Sequence, residues 1–431
     1  MKVGSTRGAA ADLPLADALL RGTAPDGGLY VPAELPRGAI RSPHPSSLHD
    51  AALAVLAPFF DGDRLAADLP EMIEEAFTFP APLVPSRRRG DFVLELFHGP
   101  TAAFKDFGAR FLAACVRRLH PPGGGTRTVL VATSGDTGGA VASAFHRMRG
   151  IQVVLLYPDG RVSPRQAHQL GAFGDNVSAL RVGGSFDDCQ RMVKAAFADP
   201  TLAELQLTSA NSISLGRLLP QLAYHAHAAL SVEPLGGPLN LVVPTGNLGN
   251  ALAAAWAREL GAPIGEIVLA TNDNRTLLEF FESGVYRGRP SVKTLANAMD
   301  VGDPSNFERL LWTFGDPEAL RARVRARAVS DLHIARTIEQ GERQQGQLFC
   351  PHTAAGIFVL EQLRGAGATG NWAVAATAHP AKFETVVEPL VGHAVPVPPA
   401  LAELLKRPSH AEPLAANPAA LRRWLLDPRA G

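Results

Sequence analysis

Thr128-Val129-Leu130-Val131-Ala132-Thr133-Ser134-Gly135-Asp136-Thr137-Gly138-Gly139 passes through three kinds of structure in one short stretch. The apolar, β-branched run that opens it fits a strand buried on both faces of a parallel sheet. A glycine-rich polar turn follows, and small residues from Ala140 onward then open a helix to about Met148. Strand, turn and helix in succession are the repeating unit of an α/β domain.

The pattern continues outward in both directions. Residues 151–157 predict the next strand, ended by Pro158-Asp159-Gly160, and Ser163-Pro164 opens a helix with proline at an allowed first-turn position. Further helices are expected at 186–197 and 218–230, on either side of the loop 211–217. Gly236-Gly237-Pro238 breaks the chain and starts a second α/β layer. Its expected parts are a strand at 239–243, a turn at 244–250, a helix at 251–260 and strands at 267–271 and 372–377. The Arg-rich segment 320–328 reads as a solvated helix face. Upstream, Pro121-Pro122-Gly123-Gly124-Gly125 is a break, and 13–20, 51–60 and 69–79 carry apolar residues at helical spacing. The expectation is an α/β protein with two mostly parallel-sheet domains, 93–235 and 236–431, after a mainly helical N-terminal region, 1–92.

Composition narrows the function. Lys plus Arg equals Asp plus Glu at 41 each in 431 residues, so no global field favours nucleic acid, and an anionic ligand must be met by local donors. Cys115, Cys189 and Cys350 are too far apart for a zinc ribbon or a disulfide framework. The N-terminus lacks the apolar core of a secretory signal, and no stretch nears the roughly 20 apolar residues of a membrane span. A cytoplasmic protein without a membrane partner is expected.

Two glycine-rich turns, 133–139 and 245–250, follow expected strands and precede expected helices, where free backbone N–H groups favour an anion. Neither is a P-loop or a dinucleotide fingerprint, and a tight strand-to-helix connection accounts for either turn alone. Asp136, the acidic residue in the first turn, is equally well read as a helix N-cap. Lys105 lies between Phe104 and Phe107 after His98-Gly99-Pro100-Thr101, in apolar company that lowers an ammonium pKa. Such an amine reacts with carbonyls, pyridoxal phosphate included. From this stretch alone, a lysine snorkelling from an amphipathic helix is the favoured reading, because most lysines are solvated surface charges. No histidine pair has metal-ligand spacing and no G-x-S-x-G elbow is present, so a metal site and the common hydrolase reading are set aside.

Assembled, these residues resemble the threonine synthase family, pyridoxal-phosphate enzymes of the fold type shared with the tryptophan synthase β subunit. Segments carrying the resemblance include Leu96-Phe97-His98-Gly99-Pro100-Thr101, Ser134-Gly135-Asp136-Thr137-Gly138, Asn211-Ser212, Pro304-Ser305-Asn306-Phe307 and Ala378-His379-Pro380-Ala381-Lys382-Phe383. The resemblance implies a cofactor cleft between the two α/β domains, with Lys105 as the catalytic, Schiff-base lysine. It implies Gly246, Asn247, Leu248, Gly249 and Asn250 as the phosphate cup, Thr377 at the pyridine nitrogen and Asp136 beside the phenolic oxygen. Ser134, Thr137, Asn211, Ser212 and Arg217 would meet the substrate. Relatives often carry Asn at the position of Asp136, which implies an acid that is protonated or turned away, and Phe at the position of Leu248. The implied reaction takes O-phospho-L-homoserine and water to L-threonine and phosphate, in a monomer or homodimer. The alternatives are another pyridoxal-phosphate lyase that eliminates or replaces at Cβ, and a non-catalytic homologue that binds a phosphate ligand.

Overall fold

The computed structural model describes residues 1–40, 45–121 and 123–427. Pro122, in the break expected before the first strand, and the last four residues lie outside them. The strands described are β1 (Lys2–Ser5), β2 (Leu13–Pro14), β3 (Tyr30–Pro32), β4 (Leu83–Pro85), β5 (Asp91–Glu95), β6 (Arg127–Ala132), β7 (Ile151–Pro158), β8 (Val177–Val182), β9 (Leu239–Pro244), β10 (Ile264–Thr271), β11 (Arg325–Ala328), β12 (Asn371–Ala376) and β13 (Glu412–Leu414). They make three sheets with orders β2-β1-β3, β11-β10-β9-β12-β5-β4 and β13-β8-β7-β6. The four-stranded sheet is parallel throughout. In the six-stranded one only β4, at the edge, runs antiparallel to its neighbour.

Side chains alternate across each sheet, and this period explains the apolar runs. In the large sheet Leu241, Val243, Leu269, Ala373 and Ala375 face one packed layer. Val242, Val268, Ala270, Val374 and Ala376 face the other. The small sheet divides in the same way, with Val129, Val131, Val153 and Leu155 on one side and Leu130, Ala132, Val154 and Leu156 on the other. Both sheets are buried on two faces, as parallel sheets are. Helices cover those faces; Gly249–Glu259, for example, carries buried Trp256 against Phe59 of the Leu48–Phe60 helix at a ring separation of 6.1 Å.

Strand order decides where a ligand meets the large sheet. From β9 the chain steps outward to β10 and then β11, whereas β12 and β5 lie on the other side of β9. Such a reversal opens a crevice at the carboxyl ends of the strands. The carboxyl ends of β9, β12 and β5 lead respectively into the glycine-rich turn after Pro244, into Thr377, and into the approach to Lys105.

Several local expectations change. The N-terminal region contains three helices, Leu15–Arg21, Leu48–Phe60 and Leu69–Ala76, and also a three-stranded antiparallel sheet whose strands are too short to show a period in sequence. The Arg-rich segment is not one helix. The helix Pro317–Arg323 ends, and Arg325–Ala328 forms the edge strand β11, with Ala326 buried and Arg325 and Arg327 exposed. Arginines on an edge strand discourage pairing with another chain. The expected helix at 218–230 divides into Leu215–Leu218 and Gln221–Val232 at Pro220. Sheet membership also crosses the expected segment ends. β5 spans the 92/93 division and joins the large sheet, and β13 returns from the C-terminal segment to pair with β8.

A buried ion pair fixes the start of β5. Arg364 donates Nε to Asp91 Oδ1 at 2.8 Å and also reaches Ala368 O and Gly370 O at 2.8 Å each. Arg364→Met leaves Asp91 buried without its cation and is expected to destabilise the fold by about 3–5 kcal/mol, read as a lower urea midpoint at unchanged slope.

Candidate active site

Lys105 begins the helix Lys105–Leu119, whose Phe107 and Phe111 are fully buried. The approach to it is tied to the end of β12. Leu96 N donates to Ala376 O at 3.0 Å, Phe104 N to Thr377 O at 2.8 Å, and His379 N to Ala102 O at 3.0 Å. Ala102 takes a left-handed backbone, φ 54°, which costs a side-chain-bearing residue about 1–2 kcal/mol. That strain is held where the chain turns into Lys105. The lysine keeps some accessible area, yet enough protein surrounds its amine for burial to pull the pKa down to about 8. Asp136 opposes that shift, and Arg217 and Lys382 reinforce it. Among the described residues no carboxylate lies within ion-pair distance of the amine. The snorkelling reading does not hold for a lysine so placed.

The turn after β9 is built as an anion cup. None of the backbone N–H groups of residues 246–250 finds an acceptor among the described residues. Leu248 sits at φ 64° as the helix Gly249–Glu259 begins, with its side chain buried in the core, which turns successive N–H groups toward one side. Asn250 adds a donor. Its Oδ1 accepts from Tyr224 OH at 3.0 Å and from His225 Nε2 at 2.6 Å, while its buried Nδ2 has no partner. Burial lowers His225 to about 4, so it is neutral near pH 7. Because Nε2 donates, its other ring nitrogen carries no proton, and that nitrogen is unpaired. Neither Tyr224 nor His225 stood out in the sequence. Asn247 spans the cup's rim, donating to Ser212 Oγ at 2.7 Å and accepting from Ser305 N at 2.6 Å.

A cradle of backbone closes on Gly246. A Cβ there would meet Met299 Cα at 2.8 Å and Ala298 O at 3.1 Å. His352, buried and lowered to about 4 by burial, holds that segment by accepting from Ala298 N at 3.1 Å. Unpaired N–H groups, an orphaned buried amide and a backbone wall without side chains together suit a phosphate.

The turn after β6 is already half-filled. Thr133 Oγ1 accepts from Gly135 N at 3.0 Å and Gly138 N at 2.8 Å, whereas the N–H groups of Ser134, Asp136 and Thr137 have no acceptor among the described residues. Asp136 is ionised rather than protonated, its carboxylate paired with a cation. It forms a buried ion pair with Lys382 at 2.8 Å and accepts from Gln166 Nε2 at 2.9 Å. Burial alone would raise its pKa, but the charges of Lys382 and Lys105 and these hydrogen bonds hold it well below the ordinary carboxylate range. Its side chain caps no backbone N–H, so the N-cap reading also gives way. Lys382 lay within a quoted motif, yet only a need to neutralise Asp136 would have singled it out.

Arg217 is buried without a carboxylate partner among the described residues. It donates to Ala210 O at 2.5 Å and leaves Nε unpaired, and burial lowers it to about 10. Its backbone touches the Lys105 helix so closely that a Cβ at Gly108 would come within 2.7 Å of Arg217 O. Asn211 has its amide engaged with Ala132 O at 2.8 Å, which pins the loop to the end of β6. Thr377 is buried, and its hydroxyl makes no hydrogen bond to the described residues. No group of three or more metal-ligating side chains occurs among the described residues, and all three cysteines are free and buried. No described helix is long and apolar enough to cross a membrane.

Comparison with known proteins agrees along the whole chain. Residues 76–380 match the family model of pyridoxal-phosphate dependent enzymes, residues 2–77 that of the threonine synthase N terminus, and residues 353–424 that of the threonine synthase C-terminal region. A threonine synthase of Haemophilus influenzae is 38% identical over 95% of this chain and 96% of its own. The crystal structure of a PLP-bound threonine synthase from Brucella melitensis superposes with a TM-score of 0.88 at 38% identity, covering 99% of this chain and 98% of that one. For threonine synthase from Escherichia coli the TM-score is 0.89 at 33% identity, with full coverage of both chains.

Two measurements probe the site without presuming a reaction. Gly246→Ala pushes into the backbone at Met299, and at least tenfold weaker pyridoxal phosphate binding is expected in a fluorescence titration. An ordinary lysine is about 0.4% free amine at pH 8. Lys105, with a pKa of about 8, is half free there, so trace acetylation of the cofactor-free chain should label it with a pH midpoint near 8.

Proposed function

The chain belongs to the threonine synthase family, and from that premise we propose that it converts O-phospho-L-homoserine and water to L-threonine and phosphate, with Lys105 as its central group. It is a pyridoxal-phosphate-dependent lyase. Bound, the cofactor supplies an aldehyde that captures amines and a conjugated ring that accepts electron density from neighbouring carbons. The observation that carries the reading is the pairing of an unclamped, desolvated lysine with a cup of unpaired N–H groups on the same sheet edge.

In this reading Lys105 holds the aldehyde. The N–H groups of Gly246, Asn247, Leu248, Gly249 and Asn250, together with Asn250 Nδ2, hold the cofactor phosphate, and the Thr377 hydroxyl meets the pyridine nitrogen. A neutral hydroxyl there does not enforce a charged ring. Asp136 bears on the phenolic side through its ion pair. Ser134 and Thr137, with the free N–H groups of their turn, receive the substrate carboxylate. Arg217 grips the substrate phosphate, since a guanidinium without a carboxylate partner suits a dianion. Ser212 adds a hydroxyl, and Asn211 fixes the loop that carries both.

As a free amine, Lys105 would take up and return protons at Cα and Cβ of the substrate. A pKa of about 8 suits that work near neutral pH, because both protonation states are populated. The units 1–92, 93–235 and 236–431, a cytoplasmic location and a monomer or homodimer complete the proposal.

Incubation with O-phospho-L-homoserine should release phosphate and threonine in equal amounts. Lys105→Ala should lower that rate by more than about 100-fold. A protein that forms ketobutyrate from threonine but no threonine from phosphohomoserine would instead be a dehydratase-like lyase, and one that binds the cofactor and turns over neither would be an idle homologue.

A further inference from the structure

Two lysines share the neighbourhood of one buried carboxylate. Lys382 Nζ, wholly buried, is 2.8 Å from Asp136 Oδ1 and donates to Thr101 O at 2.7 Å. Thr101 belongs to the turn that delivers Lys105, and the buried Asp106 carboxylate in turn accepts from Thr101 N at 2.8 Å and Thr101 Oγ1 at 2.7 Å. On the far side Ser163 Oγ donates to Lys382 O at 2.6 Å and Arg165 Nη1 to Ala381 O at 2.7 Å, so the backbone at Lys382 is held by the start of the helix Pro164–Gly171. The charged groups that act on the Lys105 amine are Asp136, Arg217 and Lys382. His352, which lies close enough to feel Asp136, is neutral near pH 7.

Attraction between opposite charges is several-fold stronger in a protein interior than in water. A buried carboxylate without another cation would therefore draw Lys105 into an ion pair and hold it as an ammonium, which neither attacks a carbonyl nor accepts a proton. We propose that Lys382 is a positioning residue that occupies Asp136 and so keeps Lys105 from being locked as an ammonium, leaving its amine able to lose its proton and react. This rests on Lys105 being the cofactor lysine.

A purely structural Lys382 would affect stability alone, whereas the proposed role changes a titration. In the full-length protein loaded with pyridoxal phosphate, the pH midpoint of the visible cofactor absorbance reports protonation at the Lys105 nitrogen. Lys382→Met leaves Asp136 uncompensated, and the nearby negative charge favours the protonated form. The midpoint should rise by at least about one pH unit, a tenfold change in the protonation ratio. The double variant Lys382→Met/Asp136→Asn removes both charges and should return it close to the wild-type value. Lys382→Gln, which keeps a donor toward Thr101, serves if the Met variant does not fold, and carries the same expectation. A smaller shift in the single variant, or a double variant displaced as far as the single, would overturn the proposal. A wild-type protein with no visible band would instead count against the role of Lys105 itself.

Discussion

Two backbone hydrogen bonds, Phe104 N to Thr377 O and His379 N to Ala102 O, tie the approach to Lys105 to the chain leaving β12. They are possible because β5 and β12 are parallel neighbours in register, Leu94 opposite Ala375 and Glu95 opposite Ala376. Both strands therefore end at the same edge. β9 lies on the other side of β12, and the turn it feeds opens at that edge too. Three segments far apart in sequence are thus brought within one crevice by sheet order alone. The strained backbone at Ala102 and Leu248 is held by packing around them, as strain at a working site generally is.

Charge in the crevice is managed by pairing some groups and leaving others open. Asp136 and Lys382 neutralise each other. Arg217 and Lys105 have no carboxylate partner among the described residues, and burial lowers both, to about 10 and about 8. A region left with unpaired cationic groups, and with N–H groups that lack acceptors, is suited to ligands carrying phosphate and carboxylate. Removing water strengthens each of these interactions and fixes the donors before a ligand arrives. Asn250 shows how the donors are fixed, with its carbonyl oxygen occupied by Tyr224 and His225 so that its amide hydrogens are what remain available.

Sequence made the alternating core legible, because β6, β7 and β9 carry continuous apolar runs and glycine-rich turns follow two of them. Local patterns reached the turns at 133–139 and 245–250 and raised the possibility of a desolvated Lys105. They did not reach β1 to β3, whose few residues show no period, or β11, where arginines at alternate positions resemble a solvated helix. The return of β13 to β8 is a long-range pairing without a local signal. The same holds for the candidate site. Lys382 follows Asp136 by far more chain than any motif spans, and Tyr224 and His225 reach Asn250 from a different helix. A buried carboxylate at Asp136 requires a cation, but no local pattern picks out Lys382 among the chain's basic residues.

Two buried or partly buried lysines stand at this site, and only Lys105 lacks a carboxylate partner among the described residues. Borohydride reduction of the protein with pyridoxal phosphate, followed by peptide mapping, distinguishes the two directly. Assignment of the cofactor to Lys105 predicts a single pyridoxyl group there and an unmodified Lys382. A pyridoxyl group on Lys382, or none at either position, would contradict it.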